Sequence, residues 1–182
     1  MDNVIVVAID RNSAQAHELA VVLEARPDFL PPATLVQSEG RRALLYSREG
    51  LVPLTAFGER PGSARLDTAI GLLKGYIRCL ISARDMLLDT RLLSSDPEGG
   101  VFACRAKGGL VKAVWGSDTV SDENEKICRV AQALGRAERV MGARTSMERM
   151  IDIIRSESPS LLNCLRTAEA VCREWNRIAG PA

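Results

Sequence analysis

Residues 34–46 read Thr34-Leu35-Val36-Gln37-Ser38-Glu39-Gly40-Arg41-Arg42-Ala43-Leu44-Leu45-Tyr46. Two short apolar strands, 34–37 and 43–46, flank Ser38-Glu39-Gly40 with Arg41-Arg42 behind it, the pattern of a β-hairpin. Gly40 supplies the positive φ that such a turn demands. Upstream, Val4 to Ile9 is a continuous β-branched run with one alanine, which predicts a buried strand. Asp10-Arg11-Asn12 breaks that run, and Asn12 or Ser13 can cap a helix whose inward face is Ala16, Leu19, Val22 and Leu23. Pro27 and the pair Pro31-Pro32 end the helix, because proline denies its predecessor the α region.

Downstream, Arg48-Glu49-Gly50 closes the second strand and a mixed segment runs to Gly62. From Arg65 the apolar period changes to 3.6. Leu66, Ala69, Ile70, Leu73, Ile77, Leu80 and Ile81 form the stripe of a helix packed on a core. Ser94 to Gly100 is turn-rich. A second hairpin then runs through Val101-Phe102-Ala103-Cys104, a Lys107-Gly108-Gly109 turn and Leu110 to Trp115.

The last third reads as three helices. Ser121 can cap the first, with Asp122, Glu123 and Glu125 favoured by the dipole of its opening turn and Ile127, Val130, Ala131 and Leu134 inside. Thr145-x-x-Glu148 is a capping box for the second, which buries Met147, Met150, Ile151 and Ile154. Ser158-Pro159 opens the third, with proline at the first helical position and a stripe of Leu161, Leu165, Ala168, Cys172 and Trp175. The order is strand, helix, hairpin, helix, hairpin and three helices. With no βαβ alternation and no internal repeat, the fold class is α+β.

Composition narrows the functional classes. At 182 residues the chain fits one domain with a real core. A net charge of +1 offers no basic field for nucleic acid or an anionic membrane surface. The N-terminus lacks the basic n-region of a signal peptide. The longest apolar stretch, Ala69 to Ile81, is interrupted by Lys74 and Arg78 and is far short of the ~20 residues of a membrane span. The expected compartment is the cytoplasm. Five cysteines, at 79, 104, 128, 164 and 172, include no Cys-x-x-Cys pair, and the single histidine, His17, is remote from them. They read as buried structural thiols rather than metal ligands or disulfides.

No catalytic, cofactor-binding or metal-binding set emerges. Gly-x-Gly-x-x-Gly, the Walker loop, the Gly-x-Ser-x-Gly elbow and His-Glu-x-x-His are all missing. Gly99-Gly100 and Gly108-Gly109 flank or turn a hairpin, where glycine is the default residue. His17 lies on a helix beside Glu18 with no nucleophile placed by spacing. Asp122 and Glu123 complement a helix dipole. Arg136, Arg139, Arg144 and Arg149 could dock an acidic partner, but the interleaved Glu138 and Glu148 favour reading them as a solvated face.

The run from Phe29-Leu30-Pro31 through Ser38-Glu39-Gly40 to Leu44-Leu45-Tyr46 resembles a kinase-like domain of unknown function from Gram-positive bacteria, often found ahead of a forkhead-associated domain. Leu87-Leu88-Asp89, Asp96-Pro97-Glu98 and Val101-Phe102 resemble its "LLD…DPE…IF" segment, and Ile154 to Leu161 resembles its C-terminal helix junction. The pseudokinase of type VII secretion systems is similar in outline. The resemblance spans Val4 to Ile178. It implies a degenerate protein-kinase-like fold over 1–182, with a reduced N-terminal lobe (strand, helix, hairpin) at 1–62 and a mainly helical lobe with one hairpin at 63–182.

In that alignment Val7-Ala8-Ile9-Asp10 stands where kinases carry Val-Ala-Ile-Lys, so Asp10 replaces the phosphate-binding lysine. Glu18 or Glu24, on the helix matching the C helix, faces no lysine. Asp96-Pro97-Glu98-Gly99 resembles the end of a catalytic loop with Gly99 in place of the magnesium-binding asparagine. Val114-Trp115-Gly116 resembles Asp-Phe-Gly with valine for the aspartate, and the glycine-rich loop has no counterpart. Phosphoryl transfer depends on those parts for positioning and charge neutralisation. The resemblance therefore implies a non-enzymatic protein-interaction or scaffold module with no cofactor. A small-molecule sensor using the inter-lobe cleft and an enzyme of unrecognised family are the alternatives.

Overall fold

Two three-stranded antiparallel sheets and a helical layer make up the chain, which is an α+β protein. The structure is a computed structural model describing residues 3–9, 16–59, 66–105, 110–116, 118–137 and 143–179. The first sheet has the order β1–β3–β2, from β1 (Val4–Ile9), β2 (Ala33–Ser38) and β3 (Arg41–Ser47). Ser38 pairs with Arg41, so the hairpin loop is two residues, Glu39 and Gly40. Both have positive φ, 47° and 76°, the type I′ geometry whose twist matches that of the flanking strands. Between β1 and β2 runs α1 (Ala16–Ala20), which widens into a π-helical turn at Val21–Ala25 and stops at Arg26 in the left-handed region, one residue before Pro27. Leu19 and Val22 are buried and Leu23 is packed against the core, as the stripe predicts. The proposed caps Asn12 and Ser13 lie outside the described residues.

The continuous apolar run of β1 predicted burial on both faces, and the structure corrects this. β1 is an edge strand whose inward Val7 and Ile9 are buried while Val4 and Val6 are 46% and 67% exposed. Periodicity reports what a strand can bury, and here no second layer among the described residues covers the outer face.

The second sheet has the order β4–β5–β6, from β4 (Leu51–Pro53), β5 (Val101–Cys104) and β6 (Val111–Ala113). β5 and β6 are the expected second hairpin, whose turn at Lys107-Gly108-Gly109 lies outside the described residues. β4 falls in the segment read only as mixed. It pairs Leu51 with Cys104 and Pro53 with Phe102, so the chain joins the second sheet directly after Gly50, well before the boundary drawn at 62. A proline is tolerated there because β4 is an edge. A 3₁₀ stretch at Leu54–Glu59 continues from it and packs on the helical layer, with Leu54 buried.

The helical layer is built on α2 (Leu66–Asp85), which contacts β6 and the later helices. Its stripe is buried from Leu66 to Leu80, and Ile81 packs at the margin. α3 (Glu123–Ala137), α4 (Ala143–Glu157) and α5 (Leu161–Ala179) follow. Their predicted inward residues Ile127, Val130, Ala131, Leu134, Met147, Met150, Ile151, Ile154, Leu161 and Ala168 are buried, and Leu165 and Cys172 are packed against the core. The side chain of Trp175 lies outside the described residues.

Each predicted helix start moves. Asp122, not Ser121, caps α3, its Oδ1 accepting from Glu125 N–H at 2.9 Å. α4 begins at Ala143, two residues before Thr145. Ser160, not Pro159, sits at the start of α5: its carbonyl accepts from Cys164 N–H, and its Oγ from Asn163 N–H at 3.4 Å. Ser158 holds a positive φ of 43° at the sharp exit from α4. At α3 and α5 a second cap-competent residue stands within two positions of the expected one. Among the described residues no helix is long and apolar enough to cross a membrane.

The five cysteines divide into Cys79, Cys128 and Cys164, which are buried, and Cys104 and Cys172, which are half-buried, so uniform burial is corrected for two of them. Burial pushes the Cys79 thiol up to about 12 and those of Cys128 and Cys164 up to about 11. Thiolate, the reactive form, is therefore scarce at all three near neutral pH. In the native protein a disulfide-exchange reagent should modify Cys104 and Cys172 at most, and all five thiols after urea unfolding. Rapid native labelling of Cys79, read by peptide mass spectrometry, would contradict this packing.

Candidate functional site

The segment between α2 and β5, residues 89–100, is where polar chemistry concentrates. After α2 the chain passes through Leu87 in a left-handed conformation and a 3₁₀ turn at Thr90–Leu92 capped by Asp89. Leu93 then bridges to Trp115, Gly116 N–H donates to Leu92 O, and Ser94 N–H donates to Val114 O at 2.7 Å. This irregular segment thus lies beside the chain that leaves β6. Asp96 closes the turn into β5, its carboxylate oxygens accepting from the N–H groups of Glu98 and Gly99. Gly100 is required by space, because a Cβ there would fall 1.9 Å from Ser94 Oγ. The Gly99-Gly100 pair therefore serves the turn, as its position beside a hairpin predicted.

Beneath this segment is a buried ion pair that the sequence reading missed. Lys126 on α3 is fully buried, and its ammonium meets Asp118, whose side chain is 2% exposed. Lys126 Nζ donates also to Leu93 O at 2.6 Å and to Arg91 O at 3.1 Å. Asp118 Oδ2 accepts in addition from Ser95 N–H, and Oδ1 from Thr119 N–H and Val120 N–H. Arg129 approaches from the surface, 3.7 Å from Asp118 and 4.0 Å from Asp96. Burial raises the Asp118 carboxyl, but the hydrogen bonds from Lys126 and Ser95 and the ammonium charge outweigh it and hold the group below the ordinary carboxylate range. For Lys126 burial is the larger effect and draws the ammonium below its usual value despite Asp118. The one sequence signal was Lys126 itself, which falls on the inward side of the stripe made by Ile127, Val130 and Leu134.

Around the pair, Tyr76 OH donates to Ser94 O at 3.1 Å, while the buried Ser95 Oγ and Trp115 Nε1 have no hydrogen-bond partner among the described residues. Every donor of Lys126 is used inside the protein, so the arrangement holds chain segments together.

The residues singled out in the sequence do not converge. His17 is exposed on α1, and Glu18 accepts from Asp89 N–H at 3.0 Å, linking α1 to the segment after α2. Glu24 is exposed. Asp122 caps α3, and Glu123 accepts from Arg84 and from Thr90 Oγ1. Arg136 is exposed and Arg149 pairs with Glu174, while Asp10, Arg139 and Glu138 lie outside the described residues, as does the side chain of Arg144. Among the described residues no group of three or more His, Cys, Asp or Glu side chains could hold a metal ion. Two surface grooves, of about 290 Å³ between α3 and α4 and about 200 Å³ beside Cys79 on α2, lie apart from the Asp118–Lys126 pair.

Replacing Lys126 with methionine should strand the Asp118 carboxylate and two carbonyls, costing ~3–5 kcal/mol in urea unfolding at pH 7. Since the folded-state pKa of Asp118 is depressed, its stabilisation is complete above the unfolded value near ~4 and is lost as pH falls through the folded value. In the Lys126→Met protein that acid loss should begin at higher pH than in wild type. A variant of unchanged stability would show the pair to be energetically idle.

No protein-family model matches the chain, and no curated protein matches it in sequence.

Proposed function

We propose that this chain is a degenerate kinase-like module that acts by binding a protein partner and not by phosphoryl transfer. The element order supports the reading: a strand, a helix and a hairpin forming one sheet, then a long helix, an irregular segment, a second hairpin and further helices. In an active kinase the strand lysine, the catalytic-loop asparagine and the Asp-Phe-Gly aspartate surround the phosphates and their magnesium ions.

The observation that carries the reading is the closed contact between β1 and residues 114–116. Val114, at the metal-binding aspartate's place, is buried. Tyr46 OH donates to Trp115 O at 2.7 Å, both residues being wholly buried. Gly116 lies so near β1 that a Cβ there would approach Val7 Cγ1 to 2.8 Å and Ile9 Cδ1 to 3.5 Å. Apolar side chains thus occupy the space that the alignment would give to phosphates. The catalytic-loop motif places its aspartate five residues before the asparagine. Counting back from Gly99 reaches Ser94, which is buried with its Oγ accepting from Asp96 N–H.

Thermal unfolding with and without millimolar ATP and magnesium tests this directly. A nucleotide at 100 times its dissociation constant would add ~2.7 kcal/mol, and each kcal/mol raises the Tm of a chain this size by roughly 2–4 °C. The expected result is no shift. A magnesium-dependent rise of several degrees would overturn the proposal.

A further inference from the structure

We propose that the open edge of β1 is a docking site for an extended strand of a partner protein, apolar at alternate positions and carrying an acid at its flank. This names the partner class for the binding-module reading and rests on it. The backbone register is the starting point. Arg48 N–H donates to Asn3 O, and the pairing runs without a bulge from Val4 opposite Ser47 to Ile9 opposite Arg42. In an antiparallel ladder alternate residues turn their N–H and C=O toward the neighbour, so Asn3, Ile5, Val7 and Ile9 bond to β3. Val4, Val6 and Ala8 therefore point their backbone groups to the other side, where no strand among the described residues pairs with them.

The same three residues turn their side chains to the outer face. There they adjoin Ala43, Leu45 and Ser47 of β3, beyond which lie Thr34 and Val36 of β2. None of these is charged. Natural edge strands are guarded by proline, a charge or a bulge, and residues 4–9 contain none of the three. An edge left this way has main-chain hydrogen bonds to offer, which is how β-strand addition gains affinity.

The small apolar area favours a single added strand over a second copy of this chain. The large exposed apolar side chains here are Val4, Val6 and Val36, 46%, 67% and 40% exposed. Three valines are a small part of the about 800 Å² per partner that a stable dimer buries. Charge adds direction. At the hairpin end, beside Ile9, Arg41 and Arg42 are both exposed and form no ion pair with a described residue, against the single Glu39 of the turn. An acidic residue beyond the apolar stretch of the partner strand would meet them.

The test is a titration of the isotope-labelled full chain with the synthetic peptide Glu-Val-Thr-Val-Thr-Val-Glu, followed by amide NMR. Saturable shifts centred on Val4, Val6 and Ala8, with slowed hydrogen exchange at these amides, are expected. Val6→Pro removes the central outward N–H at an edge position that tolerates proline, and should weaken binding about tenfold or more. Should that variant fail to fold, the wild-type protein with the peptide N-methylated at alternate residues asks the same question, and binding should again be lost. The absence of shifts at millimolar peptide, or binding indifferent to N-methylation, would overturn the proposal. So would a concentration-dependent dimer of the protein alone that protects the same amides, which would give the edge to a second copy. Failure here leaves the nucleotide test standing, whereas a magnesium-dependent ATP response would sink the module reading whether or not the peptide binds.

Discussion

One ammonium group holds together three parts of the chain that have no secondary structure in common. Lys126 Nζ has three protons, and they go to Arg91 O, Leu93 O and the Asp118 carboxylate. Without it, two carbonyls of the segment after α2 would lose their donor, each at a cost of ~1–3 kcal/mol, and the Asp118 carboxylate would keep its backbone N–H donors but lose its buried cation. The first two turns of α3 must therefore lie over residues 91–93. That placement sets Ile127, Val130 and Leu134 against the core and brings α4 and α5 in behind them. Exposed pairs such as Arg155–Glu125 and Arg149–Glu174 then decorate the bundle, contributing little individually.

A second set of contacts closes the first sheet against the second. Lys112 on β6 donates to Asp28 O and Leu30 O, and Ala113 N–H donates to Phe29 O. Tyr46 reaches across to the carbonyl of Trp115, and burial raises its phenol far above the ordinary range, keeping it a neutral donor. These bonds join the turn after α1 and the C-terminal end of β3 to residues 112–115. Opening the seam between β1 and Gly116 would expose Val7 and Ile9 and strain or break the Tyr46 bond beside it. A seam of this kind is part of the core.

Much of the fold was legible because periodicity reports burial. The first hairpin, the α2 stripe and the inward faces of the last three helices all followed from spacing alone. What escaped has physical causes. β4 is three residues long and ends in proline, too short for any period and chemically a poor strand, so only its pairing with β5 reveals it. The start of α3 moved by one residue and that of α5 by two, because Asp122 competes with Ser121, and Ser160 with Ser158, on equal chemical terms. β1 looked buried because composition cannot say whether a second layer exists. Lys126 was hidden for the opposite reason: lysine beside Asp122, Glu123 and Glu125 looks like a solvated helix start, and its acceptors are 33 to 35 residues away or, for Asp118, eight.

Departures from local rules sort into those the fold explains and those it does not. The buried Lys126 is explained, since all its donors are met. The positive φ of Glu39 is explained by a two-residue hairpin that needs it, and Gly100 by the side chain of Ser94. Leu87, in the left-handed region with 76% of its surface exposed, closes α2 as a Schellman cap, Leu88 N–H donating to Ala83 O and Leu87 N–H to Arg84 O, whereas the uncharged edge of β1 has no compensation among the described residues. Consistency across levels is the rule in foldable sequences, and violations without a folding reason mark functional positions. The β1 edge is different in kind. Its three outward residues align unpaired backbone groups with apolar side chains along one strand, and a charge or proline at any of them would have silenced the edge without touching the buried Val7 and Ile9. That such a guard is missing along the whole described strand is the observation on which the proposed docking edge rests.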